Sequence, residues 1–224
     1  MHVKQPLNSR FFKPYHKGIS IADIVSAMDD LPKHTIANAP WADYQYKPDC
    51  SFAIAHNEKD LYLKFFVTED AVLARFTEPN SLVYKDSCVE FFIAFNNELS
   101  YYNLEFNCLG TAYIGYGTGK TERETAPVDR VEQIQSSSLL YTVDGKFRWE
   151  LTLIVPVAVF YRHESQLLFR DRAKCNFYKC GDDMPVPHYL CWNNVVSETP
   201  NFHLPNFFVE VCFATQAQIL SSST

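Results

Sequence analysis

The chain has 224 residues, with 20 Lys+Arg against 26 Asp+Glu and a formal net charge of −6. A hydrophobic share of 47% with 21% charged residues is ordinary for a globular protein and excludes a disordered, collagen-like or low-complexity chain. The acidic balance argues against a nucleic-acid partner, and no apolar run approaches the roughly 18 residues of a membrane helix, so no membrane partner is expected either. What stands out is the 15% aromatic content, with 18 Phe and 13 Tyr against only 7 Gly.

Met1–Arg10 is polar and lacks the apolar stretch of a signal peptide. As written, the chain reads as cytoplasmic, or as periplasmic or secreted if a leader has been removed. The odd count of 7 cysteines, without paired spacing, fits free thiols rather than a disulfide framework. Cys88, Cys108 and Cys212 fall in alternating apolar runs, where a thiol acts as a small buried hydrophobe.

Residues 20–31 read as a short helix. Ser20 caps it, Ile21, Ile24, Val25 and Met28 form a stripe at helical spacing, and Pro32 ends it. The rest alternates with period two between turn residues. The candidate strands are Ser51–Ala55, Leu61–Val67, Ser87–Phe95, Tyr101–Asn107, Thr111–Tyr116, Ser138–Thr142, Phe147–Val155, Leu167–Tyr178, Tyr189–Trp192 and Phe207–Phe213. Asp144-Gly145 signals a tight hairpin, and Asn57–Asp60 a second turn. Many short strands with little helix predict an all-β fold. The expected form is an antiparallel, two-sheet, jelly-roll-like β-sandwich in one domain, 1–224, with one N-terminal helix. Strand alternation puts Val89, Phe91, Ile93 and Phe95 on one face and Cys88, Glu90 and Phe92 on the other. Likewise Leu104 and Phe106 oppose Asn103, Glu105 and Asn107. The polar face is either solvated or the floor of a groove.

Several motifs tempt. Gly115–Thr121 (GYGTGKT) lacks the first glycine of a phosphate loop, since Ile114 stands there, and no helix follows, so a glycine-rich hairpin loop is the better reading. Cys175, Cys180, His188 and Cys191 lack the tight spacing of a structural zinc site, and buried thiols are favoured. Met28 and Met184 offer little as haem ligands. Glu90, Glu105, Glu150 and Asp86 lie in or beside strands, where two facing carboxylates could serve a glycosidase, although outward carboxylates on sheets are ordinary. Aromatic residues also adjoin polar ones near strand ends: Tyr84 before Asp86 and Glu90, Trp192 before Asn193, Phe202 between Asn201 and His203. Flat rings stack on the C–H face of a sugar, while amides and carboxylates bond its hydroxyls.

Tyr84-Lys-Asp-Ser-Cys-Val-Glu90-Phe-Phe-Ile-Ala-Phe, the aromatic strand Tyr101–Asn107, Phe147-Arg-Trp-Glu150 through Pro156, Arg172–Gly181, His188–Trp192, Pro200–Phe208 and Ile36–Trp41 stand in one order. Together they resemble family 9 carbohydrate-binding modules, in the bacterial family 9-like subgroup attached to xylanases, over about residues 34–213. The resemblance implies a β-sandwich that holds a terminal sugar between two rings without cleaving it. The clamp positions fall on Tyr84 and Phe202, with Trp192 as support, and the polar positions on Glu90, Glu105 and Asn107. The better-known members carry tryptophans at the clamp and a basic residue near the position of Glu105. The family often holds structural calcium, for which Asp60 and Asp86 are the oxygen donors suggested here; no other cofactor is required. The expected partners are an oligosaccharide or polysaccharide and a separate glycoside hydrolase. Two alternatives stand beside non-catalytic binding in polysaccharide use: a glycoside hydrolase with a xylanase-like carboxylate pair, and a scaffold that has lost its ligand.

Overall fold

The computed structural model describes residues 5–12, 20–163, 169 and 172–213. Thirteen strands follow in chain order: β1 (Leu7–Phe11), β2 (His34–Thr35), β3 (Asp49–His56), β4 (Asp60–Glu69), β5 (Cys88–Phe95), β6 (Tyr101–Asn107), β7 (Ala112–Gly117), β8 (Glu124–Thr125), β9 (Gln135–Val143), β10 (Lys146–Pro156), β11 (Ala173–Gly181), β12 (His188–Cys191) and β13 (Val209–Phe213). Two helices, α1 (Ile21–Asp29) and the one-turn α2 (Val128–Val131), accompany them.

One layer runs β8-β7-β6-β5-β11-β13, with β12 also on β11; the other runs β3-β4-β10-β9, with β2 on β3. Between them, β1 pairs through Leu7–Ser9 with β13 and through Arg10–Phe11 with β3, joining the layers at one corner. Both of these pairings are parallel, so the sheet is mixed and not the purely antiparallel one expected. The Leu-Asn-Ser-Arg-Phe strand escaped sequence reading because its inward residue at 9 is a serine. Burial is tolerated because the Ser9 hydroxyl bonds Nδ1 of buried His56 at 2.8 Å.

The core lies between the layers. Phe91 and Phe177 of the first meet Phe52, Phe65 and Trp149 of the second, with Phe52 and Phe177 stacked at 3.5 Å. The alternation within β5 and β6 is as expected: Val89, Phe91, Ile93, Leu104 and Phe106 face this core. The opposite face of the first layer is also covered. Cys88, Phe92, Tyr101 and Tyr178 pack under loops carrying Trp41, Val83, Phe202 and Phe208. Two covered faces explain why β5 reads as a nearly continuous apolar run.

On the outer face of the second layer, α1 buries Ile24 and Met28 against Ala53, Ala55, Tyr62 and Ile154. Ser20 and Asp23 form a reciprocal cap that satisfies the free amides of its first turn. Beside it, buried Lys64 reaches Asp29 at 2.5 Å and Glu150 at 2.9 Å. The Asp144-Gly145 turn takes positive φ at both residues and sets Val143 opposite Lys146, as its sequence predicts. At the other turn, Oδ1 of Asn57 accepts from the amides of Lys59 and Asp60, each at 2.7 Å.

Several strand boundaries differ from expectation: β3, β4 and β9 are longer, β9 beginning at Gln135 and not at Ser138, and two other strands begin later. The strand expected over Leu167–Tyr178 begins at Ala173, residues 164–168, 170 and 171 lying outside the described ones. The last strand begins at Val209, because Pro205 opens a 3-10 turn over Pro205–Phe207. Cys212, expected buried, is exposed, since β13 turns it away from the core that takes Val211 and Phe213.

Candidate functional site

A cavity of about 430 Å³ opens between the first layer and the loops that cover it. Its floor comes from alternating residues: Glu90 of β5, Asn103 and Glu105 of β6, Tyr113 of β7 and Cys180 of β11. These strands are neighbours, and the register sets Glu90 directly opposite Glu105. The walls come from loops. Tyr84 stands on the 3-10 turn Val83–Lys85, Lys120 and Arg123 on the turn after β7, and Asn201, Phe202 and His203 on the segment before β13. Asp182 follows β11, and Tyr189 of β12 completes the rim.

A chain of hydrogen bonds fixes the floor. Nε of Arg123 donates to Oδ1 of Asn103 at 2.7 Å, and Nδ2 of Asn103 donates to Oε1 of Glu105 at 2.7 Å. The guanidinium is itself held by the carbonyls of Tyr101 (2.8 Å) and Gly119 (2.8 Å), and lies 4.4 Å from the Tyr101 ring centroid. Every link points one way, so each group has a single orientation. The last atom, Oε2 of Glu105, is buried and has no hydrogen-bond partner.

Burial dominates the ionisation of this floor. It pushes the Glu105 carboxyl up to about 7, against the pull of the Asn103 hydrogen bond and the Arg123 charge. Burial also holds Glu90 well above the usual carboxylate range, helped by Cys180 and Glu105. The Cys180 thiol donates to Oε1 of Glu90 at 3.1 Å. His203 is pushed down to about 3 by burial and by the charges of Arg123 and Lys120, so its ring is neutral at pH 7. Its Nδ1 meets the Tyr101 hydroxyl at 2.9 Å.

Tyr84, Glu90, Glu105 and Phe202 therefore meet at one cavity, while Asn107, Trp192, Asp60 and Asp86 do not line it. Asn107 is fully buried beneath the neighbouring loop, where its amide donates to the Phe76 carbonyl at 2.8 Å and to Asp86 at 3.0 Å and its carbonyl accepts from Leu109 and Thr111. It shapes a turn and does not line the cavity. Trp192 sits in the inter-layer core, edge-on to Phe52 at 5.6 Å and Phe177 at 6.1 Å. Asp60 faces Asn57 and Tyr62, and Asp86 accepts from the amides of Arg75 and Phe76 with the Arg75 guanidinium 3.6 Å away. Oδ2 of Asp86 is taken up by N–H donors, and its Oδ1, buried without a hydrogen-bond partner, already faces the Arg75 guanidinium, so an arginine stands where a calcium ion would have to sit. Glu150 pairs with Lys64 on the other layer, which leaves Glu90 and Glu105 as the only facing pair among the carboxylates singled out.

Phe202 lines the cavity but also stacks on Tyr178 at 4.2 Å and 16°, so part of its surface is already used. A basic residue from further along the chain, Arg123, reaches Glu105 through Asn103. Its signal was the GYGTGKT segment: a Cβ at Gly115 would lie 2.5 Å from Oδ1 of Asn103 and 3.1 Å from Nε of Arg123. Glycine there lets the Arg123 fork lie against β6. Tyr113, Asp182 and Tyr189 carried no local sign, because only loop closure brings them together.

The family model for carbohydrate-binding family 9 matches residues 21–213. The chain belongs to carbohydrate-binding family 9. Among solved structures, a candidate carbohydrate-binding protein from Bacteroides uniformis ATCC 8492 is 33% identical, with a TM-score of 0.86 over 94% of this chain and 99% of that one. Two family 9 module structures from Caldicellulosiruptor kristjanssonii, in complex with glucose and with cellotriose, share the fold at TM-scores of 0.55 and 0.56 but only 12% identity. They cover 93% and 95% of this chain, and it covers 95% and 96% of them. No curated protein sequence matches the chain. The fold of this family 9 member is thus the family's β-sandwich.

Proposed function

We propose that the protein binds the end of a glycan, without cleaving it, in the cavity between Tyr84 and Phe202. The observation that carries this reading is the relay Arg123–Asn103–Glu105, which ends in a buried carboxyl oxygen with no protein partner. A buried acceptor of this kind costs stability unless a ligand donor meets it. A sugar hydroxyl is such a donor, and it carries no charge to be desolvated. The rings of Tyr84, Tyr113, Tyr189 and Phe202 around the same space offer apolar faces to a sugar ring. The cavity also falls within the roughly 300–1,000 Å³ of small-ligand sites.

Family membership supports the same reading. Because the Caldicellulosiruptor modules were solved with glucose and cellotriose, gluco-configured sugars are the first candidates. In this account Glu90 and Glu105 are hydrogen-bonding groups, and Arg123 is a positioning residue that orients Asn103. A protein that holds a glycan without cutting it would serve polysaccharide use beside a separate glycoside hydrolase.

A glycan array probed with the purified protein and with Tyr84→Ala tests the proposal. Selective binding by the wild type, weakened about tenfold in the variant, is expected. Equal binding by both would remove the cavity as the site, and a blank array for the wild type would favour a scaffold without ligand.

A further inference from the structure

At the floor of the cavity, two thiols beside Glu90 are not explained by sugar binding. Cys88 and Cys180 are directly opposed in the β5–β11 register, and Glu90 lies two residues beyond Cys88 on the same face. One ligand atom from each of the three lies within 4.8 Å of the others, and all three residues are buried. We propose that Cys88, Glu90 and Cys180 form a site for a thiophilic divalent cation of the zinc class, with one coordination position open to the cavity.

The donor chemistry selects the ion. Two sulfurs and one carboxylate suit zinc and its soft relatives, whereas calcium and magnesium require oxygen cages. The geometry is nearly in place. A tetrahedral ion with metal–sulfur bonds of about 2.3 Å needs its donors about 3.8 Å apart. The Cys180 sulfur already lies 3.1 Å from Glu90, and the remaining separations require closure of no more than about 1 Å within the 4.8 Å limit. These are three ligands from two paired strands, a rigid support. The fourth position would go to water or to a sugar hydroxyl, because Glu90 and Cys180 line the cavity while Cys88 lies beneath it. The cavity is also the route of entry.

Charge favours a cation. Glu105 and Asp182 both face this cluster, and each makes a proton harder to remove from Glu90. Burial pushes the Cys88 thiol up to about 12 and lifts Cys180 well above its usual value, so without metal both are protonated at pH 7. An arriving ion forms two metal–sulfur bonds and one metal–oxygen bond, and releases the two thiol protons and that of Glu90 to solvent. Two thiolates and a carboxylate around a divalent ion leave one net negative charge.

The test uses the whole chain, reduced and stripped by chelator, with all 7 thiols verified by titration under denaturing conditions. It is then titrated with Zn²⁺ and, separately, with Co²⁺. One equivalent of zinc retained through gel filtration is expected, with a thiolate-to-cobalt charge-transfer band in the near ultraviolet. Cys180→Ala and Cys88→Ala should each lose the ion and the band, Glu90→Gln should bind at least about tenfold more weakly, and Cys212→Ala should match the wild type. If Cys88→Ala does not fold, Cys180→Ala and Glu90→Gln decide the question. No band in the wild type, or a band that survives Cys180→Ala, overturns the proposal. Metal uptake is read without any sugar, so its failure leaves the glycan reading standing, and a blank glycan array leaves the metal site standing.

Discussion

Glu105→Gln should make the protein more stable at neutral and alkaline pH while weakening its ligand. Glu105 is 5% exposed, and burial lifts its carboxyl from 4.5 to about 7. A carboxyl whose folded value is raised is fully stabilising below its unfolded value, and that stability is lost as pH rises through the folded one. The loss therefore develops between pH 4.5 and about 7. At about 1.4 kcal/mol per unit it amounts to roughly 3 kcal/mol. Glutamine cannot ionise, and its carbonyl can still accept from Asn103. Its amide nitrogen takes the place of Oε2, unpaired like the O–H of the protonated acid, so at pH 4 the two proteins should be nearly equal. Urea unfolding from pH 4 to 9 measures the difference. The variant should gain stability progressively above pH 4.5 and level off about 2–3 kcal/mol above the wild type by pH 8. Parallel pH curves for the two proteins, or a less stable variant at pH 8, would refute the assignment of Glu105 as a strained carboxyl.

Further outcomes follow from the same geometry. Tyr84→Ala should cost about 1–2 kcal/mol of sugar affinity by calorimetry with little change in stability, whereas Phe202→Ala removes a ring stacked on Tyr178 and should also cost about 3 kcal/mol of stability by urea unfolding. Gly115→Ala places a methyl group 2.5 Å from Asn103; it should disrupt the Arg123 relay and lower sugar affinity at least about tenfold, and an unchanged calorimetric affinity would show that the relay does not matter. Lys179 lies fully buried, 3.0 Å from Glu69 and 2.8 Å from His188. Lys179→Met strands a buried carboxylate and should destabilise the fold by about 3–5 kcal/mol in chemical denaturation.

Alternation was enough to read the layers. Period two in β5 and β6 sorted Phe91 from Glu90 and Leu104 from Glu105, because each strand is packed on both sides and a one-residue slip would bury the wrong set. The same logic brought Glu90 and Glu105 to one face. It could not separate them from Asn107, which shares that face but lies at the strand end, under the Phe76 loop. Trp192 looked like a supporting ring because Asn193 follows it, yet just past the end of β12 it turns inward to Phe52 and Phe177. Arg123 and Asp182 come from loops whose closure depends on contacts distant in sequence. β1 gave little sign because parallel pairing to β13 and β3 leaves no hairpin signal, and its buried Ser9 breaks the apolar pattern.

A crystal structure of the protein soaked with the sugar that an array selects, beginning with glucose and cellotriose, would locate the glycan. A sugar ring should lie beside Tyr84, with a hydroxyl within hydrogen-bond distance of Oε2 of Glu105 and the Arg123–Asn103 relay undisturbed. A sugar seated on the other layer, beside Phe66 and Tyr141 where a second cavity of about 380 Å³ lies, would contradict this placement.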